Sequence, residues 1–427
     1  MTGGITPGML DGGLAEDLAA ASLDLARRFA PGATLWCVAP SWEPHAHHMA
    51  VEFVHPVIVG KRALPAFALT GPDLAPRAGV AARTGDILIA VADAQDAEVA
   101  DLMGRAPGWG AASAWIGSGP RPPAGAADHV LWIDDPDPMT PATGRFVLLY
   151  HLLWELTHVC FEHPGLLTEP AGQTGPPPGE REPQATAFLY PFIEADERDP
   201  GPLLAELAAS ARAKAAESAA LQQATLAGSA DQVAACGAAM AARFAAGGRL
   251  YAFGNGGSST DCATFAALLS SPPTGAPTSS PTGPPVGARP AGQPPPYRPL
   301  PALNLAADQA VVTALGNDVG FDLVFSRQII AHAAARDIAV AFSTSGNSRD
   351  LMTALREAHG RGLLTVGLAG YDGGEMAASG DVDHCFVVRS QSIHRIQESQ
   401  ALLGYHLWAS VQQSLQQLGP NPDGGIP

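Results

Sequence analysis

Short apolar runs alternate along this chain with stretches whose apolar residues recur at helical spacing. Ala33–Ala39 (ATLWCVA), Ile87–Val91 (ILIAV), Ala112–Ile116 and His129–Ile133 read as buried strands. Leu14–Phe29, His45–Val54 and Ala97–Met103 carry helical spacing, and Phe146–Phe161 (FVLLYHLLWELTHVCF) is a helix apolar on most sides. The order then repeats. An Ala-rich helix over Leu203–Phe244 leads into strand, loop and helix across Leu250–Ser270. Ala302–Ala306, a helix near Gln309, a strand before Ser343, a helix over Asp350–His359, strands at Leu363–Leu368 and His384–Val388, and a closing helix over Ile396–Leu418 follow. Strands alternating with helices predict parallel α/β sheets, and the repeated order predicts an internal duplication.

Composition divides the chain further. At 427 residues it is too long for one ordinary domain. Residues 165–186, rich in Pro, Gly and Glu, read as a linker between a domain over 1–164 and a second over 187–427. Within the second, residues 271–299 are so dense in Pro, Gly, Ser and Thr that they read as a disordered surface loop.

A net charge of −17 argues against direct nucleic-acid binding, which needs a basic surface. Five dispersed cysteines without a Cys-x-x-Cys pair fit a reducing compartment and no disulfide framework. The first residues show no signal-peptide pattern, and no apolar run is long enough for a bilayer. The expectation is a soluble cytoplasmic protein without a membrane partner.

Two loops carry candidate chemistry. Gly254-Asn255-Gly256-Gly257-Ser258 and Ser343-Thr344-Ser345-Gly346-Asn347-Ser348 each follow an apolar run and open a helical segment. Glycines let the backbone approach a ligand, N–H groups at a helix start bind anions, and hydroxyls suit phosphate oxygens. Two such units in one domain predict a phosphate site.

The second half resembles the sugar isomerase (SIS) domain and, within it, the phosphoheptose isomerases. The resemblance rests on Gly254–Ser258 with Asp261, on Gly316–Phe321 (GNDVGF), on Ser343–Ser348 (STSGNS) and on Arg395–Glu398 (RIQE). It implies two tandem three-layer α/β/α SIS domains with parallel sheets, the first degenerate. It also implies phosphosugar contacts at Asn255, Gly256, Gly257, Ser258, Asn317, Asp318, Ser343, Thr344, Ser345, Ser348 and Gln397. Three departures stand out. The family's helix His falls on Thr264, its catalytic Glu on Leu268, and the His expected after Gln397 on Tyr405.

The first half inverts this pattern. Ala39-Pro40-Ser41-Trp42 stands in place of the glycine loop, and Ala92-Asp93-Ala94-Gln95-Asp96-Ala97 in place of the serine loop. Yet His48 and Glu52 occupy the missing His-x-x-x-Glu, one helical turn apart, and His158 takes the slot of Tyr405. Without the resemblance, His48 and Glu52 read as an ordinary i,i+4 pair. His151 and His158, seven residues apart on an apolar helix, read as buried and hydrogen-bonded histidines.

The resemblance implies aldose–ketose isomerisation of a phosphorylated sugar of the heptose phosphate class. Glu52 would be the base and His158 the acid. A divalent metal, zinc in first place, would use His48, Glu52, His158 and Gln397. No nucleotide cofactor is expected, and two domains per chain imply a homodimer. The rival reading is a non-catalytic phosphosugar-binding regulatory or scaffold protein.

Overall fold

Two parallel sheets of five strands carry the fold, one from each half of the chain. The computed structural model describes residues 3–58, 60–135, 137–167, 199–273 and 297–418. The first half runs α1 (Leu14–Phe29), β1 (Leu35–Val38), α2 (Glu43–Val54), β2 (Ala66–Ala68), α3 (Leu74–Ala81), β3 (Ile87–Val91), α4 (Ala97–Arg105), β4 (Ala112–Ser118), β5 (His129–Ile133) and α5 (Arg145–Cys160). The second half runs α6 (Gly201–Ala245), β6 (Leu250–Gly254), α7 (Gly257–Ser270), β7 (Ala302–Asn304), α8 (Gln309–Asp318), α9 (Val324–His332), β8 (Ile338–Phe342), α10 (Arg349–Gly360), β9 (Leu364–Gly370), α11 (Gly374–Ala378), β10 (His384–Val388) and α12 (Ile393–Leu418).

The strand orders are β2-β1-β3-β4-β5 and β10-β9-β8-β6-β7, the same order read from opposite edges, with every pair parallel. Every residue of β3, β6, β8 and β9 is buried, as a sheet covered by helices on both faces requires. Order reverses between β1 and β3 and between β6 and β8. In open α/β sheets the crevice beyond the carboxyl ends of the strands at such a switch point is where ligands bind. The glycine loop follows β6 and the serine loop follows β8, so both predicted phosphate loops stand at that point of the C-terminal sheet.

The amino ends of the strands carry the same clamps in both sheets. Asp86 accepts the backbone N–H groups of Thr34 and Arg83 (both 2.9 Å); Asp337 accepts those of Arg249 (2.8 Å) and Ala334 (2.7 Å). Asp128 takes the N–H and hydroxyl of Ser113, and Asp383 takes those of Thr365. Each ties the start of one strand to the loop before its neighbour. These repeated bonds are the physical trace of the duplication.

The chain forms two compact units whose boundaries differ from the predicted ones. Of the described residues, the N-terminal unit takes in 5–58, 60–135, 146–167 and 199–220; the C-terminal unit takes in 3–4, 137–145, 221–273 and 297–418. Residues 137–145 join the C-terminal unit through a short turn at Thr140–Thr143 that packs on α12. There Arg145 donates to the Gly4 carbonyl (2.8 Å) and Gln222 to the Glu398 carbonyl (2.9 Å). Helix α6 contributes to both units because its Ala-rich run has no proline beyond Pro202 to stop it.

Helices α3 and α9 and strand β2 were not expected. Three residues (β2) are too few to show a period, and α3 carries Pro and Gly within eight residues. Most of the predicted linker and loop lies outside the described residues. The returning edge of the loop is held by Tyr297 against Trp408 and by paired bonds between Arg298 and Gln412 (2.9 Å each). The five cysteines are free thiols, four of them buried. Among the described residues no helix is long and apolar enough to cross a membrane.

Candidate functional site

In the C-terminal unit, β6 ends at Gly254, where an added Cβ would lie 2.8 Å from the Ser258 carbonyl oxygen and 2.9 Å from that of Phe342. Only glycine fits there, so the chain turns directly into α7 and buries Ser258 at its first turn. The serine loop is shaped by its own hydroxyls. Ser343 Oγ accepts the Gly346 N–H (3.0 Å), and Ser345 Oγ accepts the Asn347 N–H (3.2 Å). Gly346 has φ 66°, and a Cβ would lie 2.1 Å from the Gly373 carbonyl oxygen. Ser348 caps α10 by position, yet its side chain makes no capping bond.

The two loops are tied together. Asn255 Nδ2 donates to Asp350 Oδ2 (2.9 Å), and Asp350 is buried in the first turn of α10. Burial raises the Asp350 carboxyl above the usual range, against the bond from Asn255, which lowers it. Behind the serine loop, Gln400 Nε2 donates to the Ser343 carbonyl (2.9 Å), while Gln400 Oε1 is buried with no partner among the described residues. Gln397 is in the same condition: it is 2% exposed and its Oε1 has no hydrogen-bond partner among the described residues. A buried amide oxygen left unpaired costs about 1–3 kcal/mol, which a hydroxyl-bearing ligand would recover. Beside Gln397, Arg395 and Glu398 form a buried ion pair (3.2 Å).

Other predicted contacts lie differently. Asn317 and Asp318 are exposed at the end of α8 and bond to each other (2.7 Å). Thr264 donates its hydroxyl back to the Thr260 carbonyl (3.1 Å), Leu268 is a core residue, and Tyr405 is half-buried on Trp408. Burial raises the Tyr405 phenol further above neutral pH. None of these three is an acid or base at neutral pH.

The N-terminal unit holds the opposite inventory. On α2, His48 and Glu52 are each 2% exposed, with Nε2 and Oε1 3.7 Å apart. The third member of the cluster is His151 on α5, whose Nε2 lies 3.4 Å from that of His48. One ligating atom from each of His48, Glu52 and His151 falls within 4.8 Å of the others. Tyr150 and His45 pack on the same group, His45 Nδ1 lying 3.4 Å from the Tyr150 hydroxyl. Ligands about 2.0–2.2 Å from one tetrahedral ion sit about 3.3–3.6 Å apart; the His48–His151 pair matches that spacing and the His48–Glu52 pair comes close, so two imidazoles and a carboxylate are the right donor types for zinc with an open position.

His158 does not join this cluster. Its Nδ1 lies 2.9 Å from the Trp154 carbonyl oxygen and its Nε2 3.1 Å from that of Arg62. Burial pushes its imidazole below the ordinary value, against those two carbonyls. Gln397, the other expected ligand, belongs to the other unit. The sequence named His151 only as a buried core histidine. No sequence signal marks it as more than that, because its meeting with His48 depends on how α5 rotates against α2.

No family profile matches the chain. The phosphoheptose isomerase of Sulfurimonas denitrificans is 44% identical over 116 residues, which are 27% of this chain and 58% of that protein. The chain thus spans little more than half the length of that relative. The phosphoheptose isomerase of Solidesulfovibrio magneticus is 37% identical over 185 residues, 42% of this chain and 79% of that protein. Among solved structures, the C-terminal domain of glucosamine-fructose-6-phosphate aminotransferase from Francisella tularensis matches with a TM-score of 0.53 at 9% identity. That match covers 95% of this chain and 94% of the other, a likeness of fold that runs through both units. With its glycine and serine loops at the switch point of a parallel sheet, the chain belongs to the phosphoheptose isomerase family of SIS-domain proteins.

Proposed function

We propose that the chain is an aldose–ketose isomerase of a phosphorylated sugar, of the sedoheptulose 7-phosphate class. In this reading the C-terminal unit holds the phosphate and sugar hydroxyls and the N-terminal unit supplies the acid and base. The observation that carries it is the burial of His48, Glu52 and His151 together in the unit that has no phosphate loops. A buried carboxylate with two imidazoles is costly unless it is used or coordinated.

The phosphate is bound by the helix-start N–H groups and hydroxyls of Ser258, Ser343, Thr344, Ser345 and Ser348, and the buried oxygen of Gln397 accepts a sugar hydroxyl. Glu52 removes the proton from the carbon beside the substrate carbonyl. The C–H electron pair becomes the double bond of an enediol, and an imidazole gives a proton to the former carbonyl oxygen. Return of the proton from Glu52 to the former carbonyl carbon, with the proton of the neighbouring hydroxyl passing back to the imidazole, forms the new carbonyl and completes the isomerisation. His151 takes the acid role that the sequence gave to His158, because it adjoins Glu52's partner His48. His48, Glu52 and His151 would hold a zinc ion, which when bound supplies Lewis-acid polarisation of a substrate oxygen.

The same reading makes the chain a homodimer. Helix α8 buries none of its residues, and Val319 and Phe321 beside it are 45% and 54% exposed. Light scattering at micromolar concentration should give twice the mass of one chain. A second reading, a non-catalytic phosphosugar sensor, is favoured by Leu268 and Thr264, which leave the better-kept unit without a base. Turnover of sedoheptulose 7-phosphate with and without added zinc decides between them. Binding without turnover under both conditions makes the chain a sensor.

A further inference from the structure

At the amino ends of β1 and β3 in the N-terminal unit there is an open cleft of about 760 Å³. It is of small-metabolite size. Its origin is visible in the duplication. In the C-terminal unit the matching corner is closed by two guanidinium groups. Arg336, the residue before the clamp Asp337, donates to the Gly247 carbonyl (3.2 Å). Arg243 donates to the carbonyls of Ala335 and Gly362.

In the N-terminal unit the residue before the clamp Asp86 is Gly85, which has no side chain to offer. Arg28 stands at the same spacing before Thr34 as Arg243 before Arg249, but it turns to Asp24 instead (3.2 Å). The corner that two arginines close in one unit is therefore open in the other.

The cleft is also positively charged in a chain of net charge −17. Its two acids are already engaged. Asp86 accepts the N–H groups of Thr34, Arg83 and the Trp36 indole (3.0 Å), and Asp24 is shared by Arg28 and His129 (3.1 Å). Arg27 spends its Nε on the Leu166 carbonyl (2.8 Å), which leaves its two terminal nitrogens. The exposed side chain of Arg83 makes no hydrogen bond or ion pair among the described residues. Two guanidinium groups thus face one cleft with no acid left to answer them among the described residues.

We propose that this cleft is an anion site for the phosphate group of a small metabolite, held by Arg27 and Arg83. Guanidinium forks match phosphate oxygens in pairs. The site is distinct from the phosphosugar loops, which belong to the other unit and to the opposite ends of the strands. It rests on the duplication and not on the isomerase reading.

The test is calorimetry with inorganic phosphate on the full chain carrying Ser343→Ala and Ser345→Ala, which weakens the serine loop. One saturable phosphate site should remain, and Arg83→Glu should weaken it about tenfold or more. Arg27→Gln should weaken it as well, and Arg83→Lys should retain part of it. Sodium chloride at matched ionic strength should not displace the phosphate. Succinate should not displace it either; equal displacement by succinate would overturn the phosphate assignment. Absence of phosphate binding in the serine variant, or binding unchanged by Arg83→Glu, would overturn the site. A parent chain that binds phosphate in this cleft but not at the serine loops would count against the isomerase reading and leave this cleft standing.

Discussion

The two units have sheets of the same topology and divide almost everything that lies beyond the carboxyl ends of the strands. Their strand orders match, and the clamps of Asp86 and Asp337, and of Asp128 and Asp383, recur bond for bond. All of those shared bonds lie at the amino ends of the strands. At the carboxyl ends the C-terminal unit has glycine and serine loops tied by Asn255 and Asp350, while the N-terminal unit has Ala39–Trp42 and an Asp-bearing turn in which Asp96 caps α4. One end of a parallel sheet thus maintains the fold, and the other is free to change its chemistry. A duplicated domain can therefore lose a site on one copy without losing the sheet that carried it.

The comparison breaks first if the N-terminal unit is only scaffold. Glu52→Gln keeps size and hydrogen-bonding reach but removes the basic carboxylate. Turnover of sedoheptulose 7-phosphate should fall by about two to four orders of magnitude, the range of a positioned acid–base group. Metal content, read by atomic absorption, should be measured in the same sample. Full activity with metal and fold intact would remove the N-terminal unit from the chemistry.

The converse change should fail in an informative way. Leu268 stands where the family carries its Glu, but it is 1% exposed in the core under α7. Leu268→Glu should lower stability by about 3–5 kcal/mol, the cost of a buried and unpaired carboxylate, and should add no turnover. Thermal unfolding at pH 5 and pH 8 checks it: the loss should be larger at pH 8, where the new carboxyl is driven to ionise. A variant as stable as the parent would mean that the site still has room for an acid.

Much of this was legible in residues alone. Ile87–Val91 and His129–Ile133 are strands at their predicted bounds, because continuous β-branched and aromatic runs flanked by turn residues leave little choice. The glycine and serine loops were legible because their spacing is a backbone requirement: Gly254 and Gly346 admit no Cβ. His151 was not legible as a site residue. Its meeting with His48 depends on how α5 rotates against α2, and an apolar helix with histidines seven apart gives no face to choose. His158 was given a role by the resemblance, through the slot that Tyr405 fills in the second half, whereas its ring nitrogens face the carbonyls of Trp154 and Arg62. The unit boundary within α6 was hidden too, since an unbroken Ala-rich helix marks no border.

The C-terminal side of the comparison is sharpened by the serine loop. Ser343→Ala and Ser345→Ala should each weaken phosphosugar binding by about 1–3 kcal/mol for a lost bond to a charged oxygen. Each hydroxyl also accepts a loop N–H, from Gly346 and Asn347 respectively. Unfolding curves of the free protein separate that structural part from the ligand part. Calorimetry that finds unchanged affinity in the double variant would move the phosphate elsewhere.

The smallest expected effect concerns the tie between the loops. Burial raises the Asp350 carboxyl above its usual range, more than the bond from Asn255 lowers it. A carboxyl whose value is raised by folding favours the folded state below the unfolded value, near 3.8, and loses that contribution as pH rises through the folded value. At neutral pH the ionised Asp350 is therefore a mild liability. Asp350→Asn keeps an acceptor for Asn255 and cannot ionise, so it should gain stability over the parent as pH rises above about 4 and hold a constant gain beyond the raised value. The gain should be smaller than the serine effects, because Asn255 already offsets part of the burial. Parallel thermal melts from pH 4 to pH 8 measure it. If the N-terminal unit is the less stable of the two, the second transition is the one to follow, and a gain that shrinks with rising pH would mean that folding lowers the Asp350 carboxyl and holds it ionised in the free protein.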